Sequence, residues 1–159
     1  MMISYQSGTN LFQYRAASIL IHNGRILLQR TESNERWYIP GGRVEYNETA
    51  EQTVERELGE EFGVTSVSKQ LVWIVENFVQ FPDRNVHEIG MFFVVRLAEG
   101  HPLYEQEGDF DGTEEGFVNR WIPLEKLDGC TVVPEFVVPE LRGLNMSAGI
   151  KSIISRSVR

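Results

Sequence analysis

The fold of this chain is decided by the stretch GRVEYNETAEQTVERELGEEFGV, residues 42–64. Thr49 and Gln52 have the spacing of a capping box, in which the two residues exchange side chain to backbone hydrogen bonds at the start of a helix. Gly63 follows as a typical C-terminal stop. The sequence therefore predicts a helix over Thr49–Phe62 that ends at Gly63.

The acidic side chains of this helix do not lie opposite its apolar side. A helix advances about 100° per residue, which gives an apolar stripe of Ala50, Val54, Leu58 and Phe62. Glu61 falls between two residues of this stripe, Glu57 falls about 20° to one side of Ala50, and Glu60 lies about 60° further round. Three carboxylates are therefore crowded beside the face that the helix should bury.

Burial of several carboxylates is costly unless a positive charge compensates. Mg²⁺ is the simplest compensation, because it prefers oxygen ligands and is commonly shared between carboxylates and substrate phosphates; Mn²⁺ can substitute. The ion would neutralise a diphosphate and lower the pKa of bound water, and one carboxylate would accept the proton. The alternative is a solvated helix face with ion pairs four residues apart.

The residues around the helix favour the metal interpretation. Gly41 and Gly42 end a short apolar piece and predict a turn, and Glu48 adds a carboxylate beside the helix N-terminus. Arg56 stands one residue before Glu57 and four before Glu60, so it can hold an acid in position. By itself, Glu48 is also explained as a favourable charge near the positive end of the helix dipole.

Outside this helix the pattern is mostly that of strands. The Asn23-Gly24 pair is a strong hairpin signal between two apolar runs, and Pro139 weakens a second helix. This mixture predicts an α+β fold, or a mixed sheet covered by helices. The expected strands are 12–21, 25–29, 70–81, 88–97 and 119–122, with an acidic loop over 103–116 and the second helix over 134–144.

Composition limits the classes of partner that the chain is expected to bind. The net charge of −8 would repel nucleic acid, whereas a small phosphorylated ligand can be held through a divalent cation that reverses the local charge. No segment approaches the roughly 20 apolar residues that cross a membrane, so no membrane association is expected.

Length predicts one domain over 1–159, with a core over about 12–145. The start of the chain lacks the features of a secretory signal. Cys130 is the single cysteine and cannot form an internal disulfide, which is typical of a reducing cytoplasm. We expect Cys130 to fill the core.

Residues 42–64 resemble the Nudix box, the signature G-x5-E-x7-R-E-U-x-E-E-x-G-U in which U is apolar. Gly42 begins it, Glu48 follows after five residues, and Arg56 to Val64 complete it without a mismatch. The surrounding pattern resembles the family from about Phe12 to Leu127. The resemblance implies the Nudix fold, an α/β/α sandwich with a mixed sheet, and hydrolysis of a nucleoside diphosphate linked to another group.

The resemblance also implies roles for individual residues. Glu57, Glu60 and Glu61 would bind the divalent ions together with the backbone carbonyl of Gly41, while Arg56 would orient the acids and Glu48 would support the site. Many members recruit a further acid from a later loop as ligand or base. Glu115 is the candidate here, with the other acids of that loop as alternatives: Glu105, Glu107, Asp109, Asp111 and Glu114.

The substrate is less well defined by the sequence. The candidates for substrate contacts are Arg30, Trp37 and Phe81, with Phe78 as a further ring for stacking on a base, although aromatic residues near strands more often belong to the core. His87 and Glu88 can reach the cleft or simply pack at a strand end. Two alternatives to a hydrolase remain, a nucleotide-sensing regulatory domain and an isomerase of the same fold. A homodimer is a common state among related proteins.

Overall fold

The computed structural model describes residues 1–159, which form nine strands and two α-helices. The strands are β1 (Ser4–Ser7), β2 (Asn10–Ile19), β3 (Ile21–His22), β4 (Arg25–Thr31), β5 (Gly41–Arg43), β6 (Ser68–Gln80), β7 (Asn85–Arg96), β8 (Phe117–Pro123) and β9 (Lys151–Val158). The helices are α1 (Ala50–Phe62) and α2 (Val137–Arg142), and short 3₁₀ helices span Pro102–Glu105 and Leu124–Gly129.

The strands form two sheets. The larger sheet has the order β1-β2-β7-β6-β9, with β5 added to β2, and it is mixed because β2 runs parallel to β7 and β6 parallel to β9. The smaller sheet, β3-β4-β8, is antiparallel. This arrangement confirms the predicted α+β class with a mixed sheet.

Two apolar cores lie on opposite sides of the large sheet, since neighbouring residues of a strand face opposite ways. In β2, Ala17 packs into the core that also contains α2, whereas Ala16 packs into the core that contains α1. The apolar stripe predicted for α1 is buried in the second core. The sheet therefore lies between the two helices, as the sandwich expectation requires.

The capping prediction for α1 is confirmed. Thr49 and Gln52 exchange the two hydrogen bonds of a capping box, and Gly63 ends the helix with a left-handed backbone at φ 66°. The predicted hairpin is also present, with Asn23 and Gly24 both at positive φ. These local signals identified the element that carries the acidic residues.

Three features differ from the sequence prediction. The turn expected at Gly41 and Gly42 is wrong, because both residues belong to β5 and pair with β2. The second helix is confined to Val137–Arg142. Pro134 favours an extended backbone in the residue before it, and Pro139 is tolerated because it lies in the first turn, where its missing N–H would have no partner within the helix. Strands β1 and β9, which lie outside 12–145, pair with the large sheet. Neither helix has the length and apolar character needed to cross a membrane.

Candidate functional site

A network of charges centred on Arg56 fixes the N-terminal half of α1. The Nε of Arg56 donates to Glu48 at 2.8 Å and its Nη2 to the backbone oxygen of Arg43 at 3.0 Å. Glu48 also accepts from the hydroxyl of Thr53 and from the backbone N–H of Glu45. These hydrogen bonds, above all those from Arg56, lower the pKa of Glu48 to about 2. Glu48 is therefore an ionised, fully partnered carboxylate.

Arg56 also reaches the acids further along the helix. Its Nη1 donates to Glu57 at 2.8 Å and lies 3.3 Å from Glu60. Glu60 is more than half exposed, whereas the Glu57 side chain is only 12% exposed. Burial raises the pKa of Glu57 despite the contact with Arg56. One guanidinium is thus shared among three carboxylates, and it does not fully compensate the buried one.

Glu61 is the acid with the least compensation. The residue is 5% exposed, and no side chain donates a hydrogen bond to its carboxylate. Burial, followed by the charges of Glu57 and Glu114, raises the pKa of Glu61 to about 8, although Arg15 acts in the opposite direction. This carboxyl group is therefore held mostly protonated at neutral pH unless another cation is present.

The two glycines before the helix allow the acids to approach the sheet. A Cβ atom on Gly42 would lie 2.1 Å from Oε1 of Glu57, and one on Gly41 would lie 2.2 Å from the backbone oxygen of Ala16. Any side chain at Gly42 would displace the carboxylate of Glu57. The close approach explains why two glycines occupy a strand instead of a turn.

The donor atoms at this position suit a divalent cation. No three His, Cys, Asp or Glu side chains are gathered into a preformed metal cluster, and Arg56 pairs with Glu57 and Glu60. Glu61 and Glu57 nevertheless present carboxylate oxygens of low exposure on one side of α1, where burial raises the pKa of both groups. Hard oxygen donors with uncompensated charge fit Mg²⁺ or a similar ion.

The acidic loop docks on the C-terminal end of α1. The backbone N–H of Thr113 donates to the backbone oxygen of Glu61 at 2.8 Å, and Gly112 packs against the same carbonyl. Glu114 follows directly, and its charge raises the pKa values of Glu57 and Glu61. Glu115, the candidate from the sequence, is the next residue and is exposed. Asp109 and Glu107 are instead paired with arginines.

A cleft of about 490 Å³ lies on the α2 side of the large sheet. Its walls include apolar residues such as Leu11, Ile39 and Phe92. Two of its lining residues, Arg15 and Tyr38, interact electrostatically with Glu61. The cleft is also lined by five arginines, an unusual share in a chain of net charge −8: Arg15, Arg36, Arg43, Arg84 and Arg159.

These arginines differ in their availability. Arg159 is paired with Glu135, Arg84 with Asp83, and Arg43 donates to Gln13. Arg15 and Arg36 have no such side-chain partner. Arg15 comes from β2, and its charge acts on Glu61 and Tyr38. Arg15 is thus an unpaired cation whose charge acts at the acidic helix.

The substrate candidates from the sequence do not all reach this cleft. Phe81 lines it, with the guanidinium of Arg84 4.4 Å from the ring centre. Trp37 is buried in the core, and Arg30 lies 5.2 Å from its ring centre while donating to backbone oxygens of the adjoining loop. The two neighbours His87 and Glu88 face opposite ways: Glu88 lines the cleft, whereas His87 packs against Phe78 on the other face.

The sequence interpretation did not identify Arg15, Tyr38 or Arg43 as part of the site. One signal was present, since the polar residues Gln13 and Arg15 stand on alternate positions of β2, which share one face of a strand. Their meeting with the loop around Tyr38 depends on pairing between distant segments. That pairing is visible only in the folded chain.

These features define a class of protein: an α+β sandwich in which a helix of clustered acids stands beside an arginine-lined cleft suited to a phosphorylated ligand. Comparison with known proteins is consistent with this class. The family model described as the NUDIX domain matches residues 13–141. The chain is 36% identical over 107 residues to an 8-oxo-dGTP diphosphatase of Escherichia coli (strain K12), an alignment that covers 66% of this chain and 73% of that protein.

A second relative, the 8-oxo-dGTP diphosphatase of Proteus vulgaris, is 38% identical over 90 residues, covering 55% of this chain and 76% of the relative. Among solved structures, a MutT protein from Bacillus halodurans superposes with a TM-score of 0.60 at 16% identity, covering 90% of this chain and 89% of the other. A MutT Nudix hydrolase from Burkholderia pseudomallei gives 0.55 at 22% identity, with 72% and 84% covered. At these identities the superpositions show the fold alone.

The chain belongs to the Nudix family. The family and the two diphosphatase relatives indicate a hydrolase that acts on pyrophosphate bonds of small nucleotide substrates. Nudix hydrolases generally require a divalent metal, which agrees with the uncompensated acids of α1.

Proposed function

We propose that this chain is a Mg²⁺-dependent diphosphatase that hydrolyses a diphosphate bond of a nucleoside triphosphate. The observation that carries the proposal is the buried, unpaired Glu61 beside Glu57, adjacent to a cleft that presents Arg15. The 8-oxo-dGTP diphosphatase relatives make 8-oxo-dGTP the first substrate to test. ADP-ribose and nucleotide sugars are the other substrates that the acidic site and the arginines would suit.

In this proposal Glu57, Glu60 and Glu61 hold the metal, with the backbone carbonyl of Gly41 as a further ligand. Arg56 is a positioning residue, because its guanidinium holds Glu48, Glu57 and Glu60 at hydrogen-bonding distance. Glu48 supports the site through Arg56. Its fully partnered carboxylate keeps the N-terminal half of α1 in place.

When bound, Mg²⁺ supplies neutralisation of the phosphate oxygens and activation of water. Arg15 and Arg36 bind the phosphate chain and limit its movement, and the apolar wall of the cleft excludes water from the rest of the nucleotide. A carboxylate near the cation accepts the proton of the attacking water, whose oxygen bonds to phosphorus as the bridging P–O bond breaks. Glu114 is favoured for this proton over its neighbour Glu115, because its charge acts on both buried acids.

The test is a substrate panel with and without Mg²⁺, comprising 8-oxo-dGTP, the common nucleoside triphosphates, ADP-ribose and a nucleotide sugar. Reaction in ¹⁸O-labelled water followed by mass measurement of the products identifies which phosphorus is attacked. Wild type should release product only with the metal, and Glu61→Gln should not. The matched control is Glu55→Gln, an acid on the same helix that bonds to Ser66 and Lys69. Binding without turnover would instead indicate a nucleotide-sensing domain.

We also propose that the enzyme acts in the cytoplasm, because a single free cysteine, here Cys130, is typical of proteins in a reducing compartment. Detection of the protein in the soluble fraction of fractionated cells is expected. Its recovery from an oxidising compartment would contradict this part of the proposal.

A further inference from the structure

A row of polar side chains crosses the floor of the cleft. Gln13 of β2 is in register with Glu88 of β7, and Glu88 is in register with Asn77 of β6. Residues paired in register on neighbouring strands project from the same face of a sheet, and all three line the cleft. Polar residues therefore replace apolar ones at the centre of a sheet face that is otherwise part of the α2-side core.

Two members of this row, Gln13 and Glu88, form a hydrogen bond with each other. Gln13 donates to one oxygen of Glu88 and accepts from Nε of Arg43 at 3.0 Å. A carboxylate has acceptor positions on both oxygens, so Glu88 retains capacity on its remaining lone pairs. It is the one acidic residue among those that line the cleft.

Asn77 is the member that is not satisfied. It is 5% exposed, and its Oδ1 is buried without a hydrogen-bond partner. Buried polar groups without partners are rare and destabilising in folded proteins. The unpartnered atom is an acceptor, so the partner that fits it is an N–H or O–H donor. A ligand in the cleft can supply such a donor, since Asn77 lines the cleft.

The position of the row fits a ring next to a phosphate chain. Arg15 is two residues beyond Gln13 on β2, which places it about 7 Å along the strand, on the side of the acidic helix. Gly90, in register with Arg15, has no side chain that would stand between Arg15 and the polar row at Gln13 and Glu88. A nucleotide with its phosphates at Arg15 would therefore extend its base towards Asn77 and Glu88.

We propose that Asn77 and Glu88 together determine base specificity and recognise the Watson–Crick edge of a guanine-type ring. A guanine edge offers two adjacent donors, the ring N–H and the 2-amino group, which suit two neighbouring acceptors, the carboxylate of Glu88 and Oδ1 of Asn77. Adenine has an unprotonated ring nitrogen and no 2-amino group at this edge, so it would leave at least one of the two acceptors without a donor. Guanine and 8-oxoguanine share this edge. The inference rests on the proposed nucleotide hydrolysis and adds the recognition of the base.

The test is kcat/KM for dGTP, 8-oxo-dGTP, dITP and dATP with wild type, Asn77→Leu, Glu88→Gln and Ser155→Ala. Ser155 is in register with Asn77 on β9 and is buried, but it does not line the cleft, which makes Ser155→Ala the matched control. Asn77→Asp is included because it keeps the size of the side chain and its acceptor oxygen. Melting temperatures establish that each variant is folded.

Wild type should prefer both guanine nucleotides over dATP by roughly 10- to 100-fold, with dITP between them because it lacks the 2-amino group. Asn77→Leu and Glu88→Gln should each erode this preference roughly 10-fold, mainly through KM, since the base contact is present in both ground state and transition state. Asn77→Asp, which retains an acceptor at this position, should lose less of the preference than Asn77→Leu. Ser155→Ala should keep it. Equal losses on all four nucleotides, or no preference in wild type, would overturn the inference.

Failure of the proposed function gives a different result. If wild type hydrolyses none of these nucleotides, calorimetry with dGMP and dAMP tests the base contact alone. Tighter binding of dGMP that depends on Asn77 would support the recognition pair without hydrolysis. Equal binding of the two monophosphates would overturn it.

Discussion

The N-terminal and C-terminal halves of α1 hold acids in opposite ways. Glu48, two residues before the helix begins at Ala50, receives hydrogen bonds from Arg56, Thr53 and a backbone N–H, and its pKa falls to about 2. Glu61, in the last turn, is 5% exposed and has no such partner, and burial raises its pKa to about 8. The charge of Glu48 is compensated by residues of the chain itself. The charge of Glu61 is compensated only when a cation binds.

Glu48 therefore serves the structure around the helix, whereas Glu61 belongs to the proposed metal site. Arg56 compensates the acids that it can reach, and its reach ends at Glu60. Natural proteins tolerate an uncompensated buried charge mainly at functional positions, where perturbed pKa values tend to cluster. The contrast between Glu48 and Glu61 therefore carries the proposal for the metal, and it can be tested from both ends of the helix.

The largest effect is expected for activity when Glu61 loses its charge. Glu61→Gln should lower kcat by about 100- to 10,000-fold, the usual range for loss of an acid that serves the reaction. Steady-state hydrolysis of 8-oxo-dGTP measures this loss. Glu55→Gln should stay within about 2-fold of wild type, and equal losses in the two variants would mean that Glu61 has no special role.

Removal of Arg56 should destabilise the protein. Arg56→Met leaves Glu48 and Glu57 without their cation, and an unpaired charge of this kind costs about 2 to 3 kcal/mol when partly buried. Urea unfolding of the metal-free protein measures the change. Lys69→Met removes a single pair with Glu55 and should cost below about 1 kcal/mol. A smaller loss for Arg56→Met than for Lys69→Met would contradict the structural role of the network.

The two halves should also respond differently to pH. Because the folded pKa of Glu61 lies above its unfolded value, the folded state holds an extra proton between about pH 4.5 and pH 8. Stability of the metal-free protein should therefore fall as pH rises through this window, by at most about 1.4 kcal/mol per pH unit. The depressed pKa of Glu48 contributes stability that is fully present above about pH 4.5 and is lost as pH falls to about 2. Urea midpoints of wild type and Glu61→Gln across this window provide the measurement, and identical slopes would refute the assignment.

The smallest effect is expected at the helix cap. Thr49→Ala removes the capping hydrogen bond to Gln52 and should cost about 1 kcal/mol. Thermal unfolding measures the loss. Metal affinity should remain unchanged, because the cap stabilises the end of α1 that is already compensated. A large fall in metal affinity would show that the two ends are coupled.

The sequence predicted those parts that depend on local spacing. The capping box, the stop at Gly63 and the burial of Glu61 against the apolar stripe all follow from residues within one or two helical turns. Nearby signals also predicted the hairpin at Asn23-Gly24 and the two strands at 70–81 and 88–97, which correspond to β6 and β7. These interactions are short in sequence, so their geometry can be worked out before the fold is known.

The rest depended on contacts between distant segments. The pair Gly41-Gly42 predicts a turn, because adjacent glycines are common in turns. The two residues instead form a strand, and their lack of side chains lets Glu57 and the backbone of Ala16 approach closely. Strand β9 has a polar, serine-rich sequence that resembles a tail. Its partner strand, β6, lies far away in the chain. Arg15 and Asn77 reach one cleft from separate strands, which no local pattern reveals.

Direct titration of metal-free protein with Mn²⁺, followed by its electron paramagnetic resonance signal, tests the central claim. Wild type and Glu55→Gln should bind the ion with the same affinity, and Glu61→Gln should bind at least about 10-fold more weakly while remaining folded. Mn²⁺ binding by Glu61→Gln as tight as that of wild type would contradict the account.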